Sequence, residues 1–123
     1  MGRRPAEPET PEDFLPLHKD TFQILVALAA HERHGYSILQ DIAARTEGRQ
    51  NISPSTLYTA IRRMLDSGLI EELDERPDPE SDDQRRRYYR ITDFGRRVAI
   101  AEARRLERLL SDARATGLVP KRL

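Results

Sequence analysis

Hydroxyl and guanidinium side chains suited to binding nucleic acid recur in the middle of the chain. At helical spacing, Ser55, Thr59 and Arg62 share one face, with Thr56 and Arg63 beside it. Hydroxyls can bond phosphates or base edges, and an arginine can donate two hydrogen bonds to the O6 and N7 atoms of guanine. We therefore predict a helix that reads DNA, with an ordinary surface helix carrying two solvated arginines as the alternative interpretation. The candidate contacts in this segment are Ser53, Ser55, Thr56, Tyr58, Thr59, Arg62 and Arg63.

A second cluster of cations is the run Arg85, Arg86 and Arg87, on the descending side of a predicted hairpin. A basic hairpin can hold phosphates or enter the minor groove. The preceding residues 78–83 are acidic, so we expect that half of the hairpin to point away from DNA, or to pair with the arginines when DNA is absent. The alternative interpretation is a solvated loop whose opposite charges neutralise each other.

The composition excludes several other classes of protein. Charged residues make up 34% of the chain and hydrophobic residues 37%, and the formal net charge is zero, which argues against a non-specific polybasic binder. The basic charge is segregated, since residues 84–123 hold twelve basic and four acidic residues. No apolar run approaches the roughly 18 residues of a membrane span, and no secretory signal is recognisable. We therefore expect a cytoplasmic protein with no membrane contact.

No residue pattern in the chain indicates catalysis. Cysteine is absent, which excludes disulfides and thiolate metal sites. His31 and His34 flank a turn, with no acidic cluster beside them to complete a metal site. Neither a phosphate-binding glycine loop nor a nucleophile motif is present. We predict no enzyme activity, no cofactor and no metal.

The spacing of apolar residues predicts four helices and two strands. In the second helix, Tyr36, Leu39 and Ile42 fall on one face, and Ser53 and Pro54 suit the N-cap and first position of the third. The predicted helices cover residues 16–30, 35–46, 54–67 and 93–114, and the predicted strands cover 69–73 and 87–91, joined by a loop over 74–86.

This order of elements predicts a mainly α-helical fold with a small β-hairpin, namely a winged helix-turn-helix plus a C-terminal dimerisation helix. The predicted organisation is a disordered tail over residues 1–13, a winged-helix DNA-binding domain over 14–91, the dimerisation helix over 92–116 and a flexible tail over 117–123.

The last helix carries an apolar stripe in steps of four, three, four and three, which is the spacing of a coiled-coil seam. The stripe consists of Ala99, Ala103, Leu106, Leu110 and Ala113. Because a second stripe can pack on the winged domain, we predict that this one meets a second copy of the chain. A two-fold dimer would place two reading helices about one DNA turn apart on a palindromic site. A helix folded wholly onto its own domain is the alternative.

Four stretches together resemble the PadR family of transcriptional regulators. They are residues 34–38, 52–58, 65–70 and 86–95, beginning with His34, Ile52, Leu65 and Arg86 respectively, and the resemblance covers about residues 17–97. It implies a homodimeric winged helix that binds double-stranded DNA and represses genes from palindromic operators. The acidic wing tip with Pro79 departs from the glycine-containing basic tip of similar proteins. The single last helix resembles a compact subgroup in which that helix supplies most of the dimer contact.

The resemblance also implies a small, often aromatic effector that releases DNA. Its expected pocket lies between the last helix and the first, with plain core packing as the alternative. The candidate lining residues are Phe14, Leu17, Phe22, Phe94 and Val98. Two further interpretations remain open at this point, since the chain could be an activator, or a winged-helix protein-interaction module without DNA binding.

Overall fold

The computed structural model describes residues 9–78 and 81–120, except for the side chains of residues 78 and 81–84. After a 3-10 turn at Pro11–Phe14, the elements are α1 (Lys19–Ala30), β1 (Arg33–His34), α2 (Gly35–Arg45), α3 (Pro54–Asp66), β2 (Ile70–Asp78), β3 (Ser81–Ile91) and α4 (Asp93–Ala115). Four helices and one small antiparallel sheet confirm the predicted mainly helical winged-helix class. No helix in these residues is long and apolar enough to cross a membrane.

The first helix begins later than the sequence pattern predicts. The prediction of a start at residue 16 is wrong, because His18 has extended backbone and its Nδ1 accepts a hydrogen bond from the amide of Asp20 at 3.1 Å. The 3-10 turn lies partly within the segment predicted to be a disordered tail. Residues 1–8 of that tail, and residues 121–123 of the predicted C-terminal tail, lie outside the described residues.

The hairpin is longer than predicted. The loop expected over residues 74–86 is wrong, because β2 continues to Asp78 and β3 begins at Ser81. The strands were predicted from an alternating pattern of apolar residues. Hydrogen bonding between backbones does not require such a pattern, and here Arg76 stands opposite Arg86 in the register. Pro77 is tolerated because β2 is an edge strand of the order β1-β3-β2.

The short strand β1 was not predicted, since two residues are too few to show an alternating pattern. Arg33 pairs with Tyr89 and His34 with Tyr88 across the antiparallel β1–β3 ladder. This ladder ties the start of α2 to the hairpin. The buried His34 also caps α2, because its Nδ1 accepts from the amide of Ser37 at 3.1 Å.

One apolar core joins all four helices to the base of the hairpin. Its buried members are Ile24, Leu25, Ala27, Leu28, Ile38, Ile42, Leu57, Ala60, Ile61, Met64, Leu69, Ile70, Tyr89, Ile91 and Val98. At the start of α4, Gly95 lies so close to the chain that a Cβ there would be 1.9 Å from the carbonyl oxygen of Leu69. Thr92 caps this helix by accepting from the Gly95 amide at 2.9 Å. These contacts set the direction in which α4 leaves the domain.

A buried carboxylate joins the amino-terminal segment to α4. Glu102 is 2% exposed, its Oε2 accepts from the amide of Leu17 at 3.2 Å, and its Oε1 accepts from Nε of Arg105 at 2.6 Å. The guanidinium of Arg105 holds the pKa of this carboxyl below its ordinary value, against the opposing effect of burial. Nearby, the rings of Phe14 and Phe94 meet edge to face at 5.5 Å. The segment before α1 is therefore anchored on α4.

Candidate nucleic-acid interface

The third helix has one buried face and one open face. Leu57, Ile61 and Met64 are at most 2% exposed and face the core. The N-cap Ser53 accepts from the amide of Thr56 at 3.2 Å, and its hydroxyl donates to the Thr56 hydroxyl at 2.9 Å. The cap and the buried face together turn the opposite side of α3 toward solvent.

All seven candidate contacts of this segment are exposed, and they share the open side and N-terminal end of α3. They are Ser53, Ser55, Thr56, Tyr58, Thr59, Arg62 and Arg63. Within the part of the chain that the structure describes, the side chains of Arg62 and Arg63 make no hydrogen bond or ion pair. Two guanidinium groups thus stand beside a row of hydroxyls without an ion-pair partner among the described residues.

Tyr58 and Tyr36 add an exposed aromatic patch next to this surface. Tyr58 lies against the start of α2, because a Cβ at Gly35 would be 2.4 Å from its hydroxyl oxygen. Tyr36 is 50% exposed, and the guanidinium carbon of Arg86 lies 5.8 Å from its ring centroid. The assignment of Tyr36 to the apolar face of its helix is wrong, because Ile38 and Ile42 define that face. Because Ile38 and Ile42 are four residues apart, their spacing could have shown that Tyr36 lies off the apolar face.

The wing arginines of the sequence prediction do not stand alone. Nη1 of Arg87 lies 3.3 Å from Oε1 of Glu72, and Nε of Arg85 lies 3.9 Å from Oε1 of Glu75. Arg85 also donates to the carbonyl oxygen of Glu75 at 3.0 Å. Both arginines therefore pair with glutamates of β2, which were not predicted as their partners. The predicted partners lie in the acidic tip, residues 78–83, where no side chain is described.

Polar clefts flank α3 on the side of α1. One cleft of about 330 Å³ is lined by His18, Asp20, Thr21, Ser55, Thr56, Thr59, Ala60 and Arg63. The neighbouring cleft is lined in part by Lys19 and Arg49, two exposed cations beside Ser53 and Thr56. Neither cation was predicted as part of this surface, because both lie outside α3 in the chain and only the tertiary fold brings them to its N-terminal end.

The residues of the predicted dimerisation stripe lie along α4 as it leaves the domain. Ala99 packs partly against the core, whereas Leu106 and Leu110 are 38% and 39% exposed. Ala103 is exposed and Ala113 is half-buried. No part of the chain within the described ranges covers Leu106 and Leu110, so an apolar stripe stays open to solvent.

The candidate effector residues surround the contact between α4 and the amino-terminal segment. Val98 is fully buried in the core, while Phe14, Leu17 and Phe94 pack against it from the side. Phe22 is half-buried on α1. The structure thus brings four of the five residues into one apolar cluster. No group of three or more histidine, aspartate or glutamate residues within the described ranges could hold a metal ion.

Comparison with known proteins identifies relatives of this arrangement. Residues 24–101 match the transcriptional regulator PadR-like family. An uncharacterized protein from Lysinibacillus sphaericus is 34% identical over 84 residues, which are 68% of this chain and 73% of that protein. This match spans most of both chains, so the resemblance is not confined to the helix-turn-helix.

Solved structures show the same fold. A PadR family transcription regulator from Clostridium difficile R20291 superposes with a TM-score of 0.67 at 20% identity, over 80% of this chain and 98% of that one. A transcriptional regulator from Clostridium thermocellum gives 0.62 at 28% identity, over 81% and 89% of the two chains. Bacillus subtilis PadR in complex with operator DNA gives 0.59 at 20% identity, over 70% of this chain and 47% of that one.

The family comprises transcriptional regulators and not enzymes, in agreement with the prediction that the chain is not an enzyme. The family match covers α2, α3, both long strands and the start of α4, which are the elements that build the surface around α3. The chain belongs to the PadR-like family of transcriptional regulators.

Proposed function

We propose that the protein is a sequence-specific DNA-binding regulator in which α3 reads the major groove. The observation that carries this proposal is the open face of α3, where Arg62 and Arg63 stand without ion-pair partners in the described chain beside Ser55 and Thr59. A helix fits the major groove, and arginine discriminates guanine there through paired hydrogen bonds.

The surroundings of α3 support contacts to the DNA backbone. Lys19 and Arg49 flank its N-terminal end, and the α3 N-terminus itself favours a phosphate. On the other side, Tyr36 and the wing arginines extend the surface. Backbone contacts position a reading helix, while base contacts select the sequence. We therefore propose that Arg62 and Arg63 contact bases and that the flanking groups contact phosphates.

We further propose that the regulator acts as a homodimer through the stripe on α4. Leu106 and Leu110 are exposed leucines at seam spacing on a helix that leaves its own domain, and a second copy of the same stripe would bury them. Two-fold symmetry then requires an operator with two inverted half-sites. Repression in the cytoplasm is the mode of action that the family resemblance favours.

A small aromatic effector is the remaining part of the proposal. The apolar cluster of Phe14, Leu17, Phe94 and Val98 joins the amino-terminal segment to α4, so a ligand inserted there would alter the direction of α4 and the spacing of the two reading helices. The half-buried Phe14 is the cluster member whose truncation should disturb the fold least. A folded Phe14→Ala protein that keeps a full effector response would contradict this location of the pocket.

The test is a fluorescence anisotropy titration of the protein on its own upstream DNA and on a scrambled duplex, at about 50 and 200 mM salt. We expect Arg62→Ala and Arg63→Ala each to weaken operator binding by roughly 5- to 150-fold, the range for a lost bidentate base contact. The matched control is Arg104→Ala, which removes an exposed arginine from α4. If Arg62→Ala and Arg63→Ala bound the operator as tightly as the wild type and the Arg104→Ala control, α3 would not be the reading helix.

A second candidate function is a protein-interaction module that does not bind DNA. The observations that favour it are the zero net charge and the ion-paired wing. Absence of binding by the wild type to either duplex at the lower salt concentration would favour this alternative, whereas tight operator binding that resists scrambled competitor and weakens with salt would exclude it.

A further inference from the structure

The arginines of the wing and the glutamates of the neighbouring strand form a ladder of ion pairs. Arg90 pairs with Glu71, Arg87 with Glu72 and Arg85 with Glu75. The last two pairs lie on the hairpin face that, farther along β3, carries the buried Tyr89, because residues 85, 87 and 89 alternate onto one side. At the base of the hairpin, this face belongs to the core through Tyr89 and Ile91.

Both of these pairs are accessible to a competing anion. The side chains of Arg85 and Arg87 are 60% and 62% exposed, and those of Glu75 and Glu72 are 49% and 40% exposed. Exposed ion pairs of this kind are weak and are screened by salt. A DNA phosphate can therefore replace the carboxylate, but the displaced glutamate then stands close to the negatively charged backbone.

We propose that Glu72 and Glu75 act as internal competitors for DNA phosphate and thereby hold down the affinity of the wing for any DNA. The inference rests on the proposed function, since it assigns the wing arginines to the DNA backbone. Binding through the wing becomes an exchange of one anion for another, so it yields little net free energy. Arg62 and Arg63, which have no ion-pair partner among the residues that the structure describes, bear no such cost, and α3 consequently dominates recognition.

The salt dependence follows from the same exchange. Each phosphate neutralised by a free cation releases counterions, and the affinity then falls as salt rises. When a glutamate is displaced at the same time, it takes up a cation and cancels part of that release. The wing of the wild-type protein should therefore contribute little to the salt dependence of binding.

The test is a double-mutant cycle on a scrambled duplex, measured by fluorescence anisotropy with full-length protein. The cycle comprises the wild type, Glu72→Gln/Glu75→Gln, Arg85→Ala/Arg87→Ala and the fourfold variant. We expect the glutamine variant to bind the scrambled duplex roughly tenfold more tightly than the wild type, with a salt slope steeper by about one to two units. The arginine substitutions should cost less than about threefold in the wild-type background but about tenfold in the glutamine background.

Two controls separate this effect from a general change of charge. Glu12→Gln/Glu107→Gln alters the net charge equally at exposed sites outside the wing. Glu71→Gln releases Arg90 on the opposite face of the hairpin. Both should leave the affinity for the scrambled duplex within about twofold of the wild type. Thermal unfolding of each variant verifies that the fold is intact.

The outcomes distinguish the inference from the proposed function. A glutamine variant that binds the scrambled duplex no better than the charge control would overturn the competition, whatever the operator affinity. The wild type and the glutamine variant could each bind the operator and the scrambled duplex equally well, while the variant binds both more tightly than the wild type. In that case sequence-specific reading is wrong and the competition stands. If neither protein binds any DNA at low salt, both proposals fail.

Discussion

The buried carboxylate of Glu102 allows the clearest test of how α4 is held. The substitution Glu102→Gln keeps the size of the side chain and an oxygen that can accept from the amide of Leu17. It removes the charge that pairs with Nε and Nη2 of Arg105 at 2.6 and 3.1 Å. The change therefore removes the charge together with one of the two acceptor oxygens, while the size of the side chain is kept.

The magnitude follows from the exposure of the two partners. One hydrogen bond to a charged group contributes about 1.5–3 kcal/mol to stability. The side chain of Glu102 is only 3% exposed, so water replaces little of this contact. Arg105 is 36% exposed, so water rehydrates it after the substitution and lowers the loss. We expect the free energy of unfolding to fall by about 1–2 kcal/mol. For a chain of this length, the unfolding midpoint should drop by roughly 3–8 °C.

The pH dependence gives a second readout with a defined sign. Hydrogen bonding to Arg105 lowers the pKa of Glu102 in the folded state below the ordinary value of a glutamate. The stabilisation is therefore fully present above the unfolded pKa and is lost as the pH falls through the folded pKa. At neutral pH, the free energy of unfolding of the wild type should exceed that of the glutamine variant by a constant amount. This difference should shrink as the pH falls below the ordinary pKa of a glutamate.

The assay is urea denaturation followed by circular dichroism at several pH values, at one protein concentration because dimerisation would affect the midpoint. Glu107→Gln, an exposed change on the same helix, is the control and should shift the free energy by no more than about 0.5 kcal/mol. Equal stability of wild type and Glu102→Gln at neutral pH would refute the reasoning, as would a difference that persists unchanged in acid.

Two further predictions concern the position and the exposed face of α4. Gly95→Ala should lower the free energy of unfolding by about 3 kcal/mol or more, because its Cβ would lie 1.9 Å from the carbonyl oxygen of Leu69. Urea denaturation measures this loss, with Ser111→Ala as the control. Stability near that of the wild type would mean that the backbone moves to make room for the Cβ. Leu106→Glu should convert the proposed dimer to monomer in light scattering, whereas Ile100→Glu, off the seam, should not; a dimeric mass for Leu106→Glu would contradict the seam.

The start of α3 and its two faces were readable from the sequence because they depend on neighbours along the chain. Ser53 was predicted as an N-cap, and it accepts from the amide three residues later at 3.2 Å. The period of Leu57, Ile61 and Met64 separated the buried face of α3 from its exposed one. These interactions lie within one or two helical turns, so local residue types and spacing determine them.

The hairpin, the exposed aromatic patch and the anchor of α4 depended on partners far away in the chain. Glu72 meets Arg87 and Leu17 meets Glu102, across 15 and 85 residues respectively. A polar pattern does not distinguish a paired strand from a loop, and a glutamate on a charged helix carries no mark of burial. Only packing decides which distant group satisfies such a side chain, since its desolvation is compensated where a matching donor lies within hydrogen-bonding distance. The sequence by itself therefore determined which segments are helical and which face of α3 is exposed, and the tertiary structure decided which charges are free to meet another molecule.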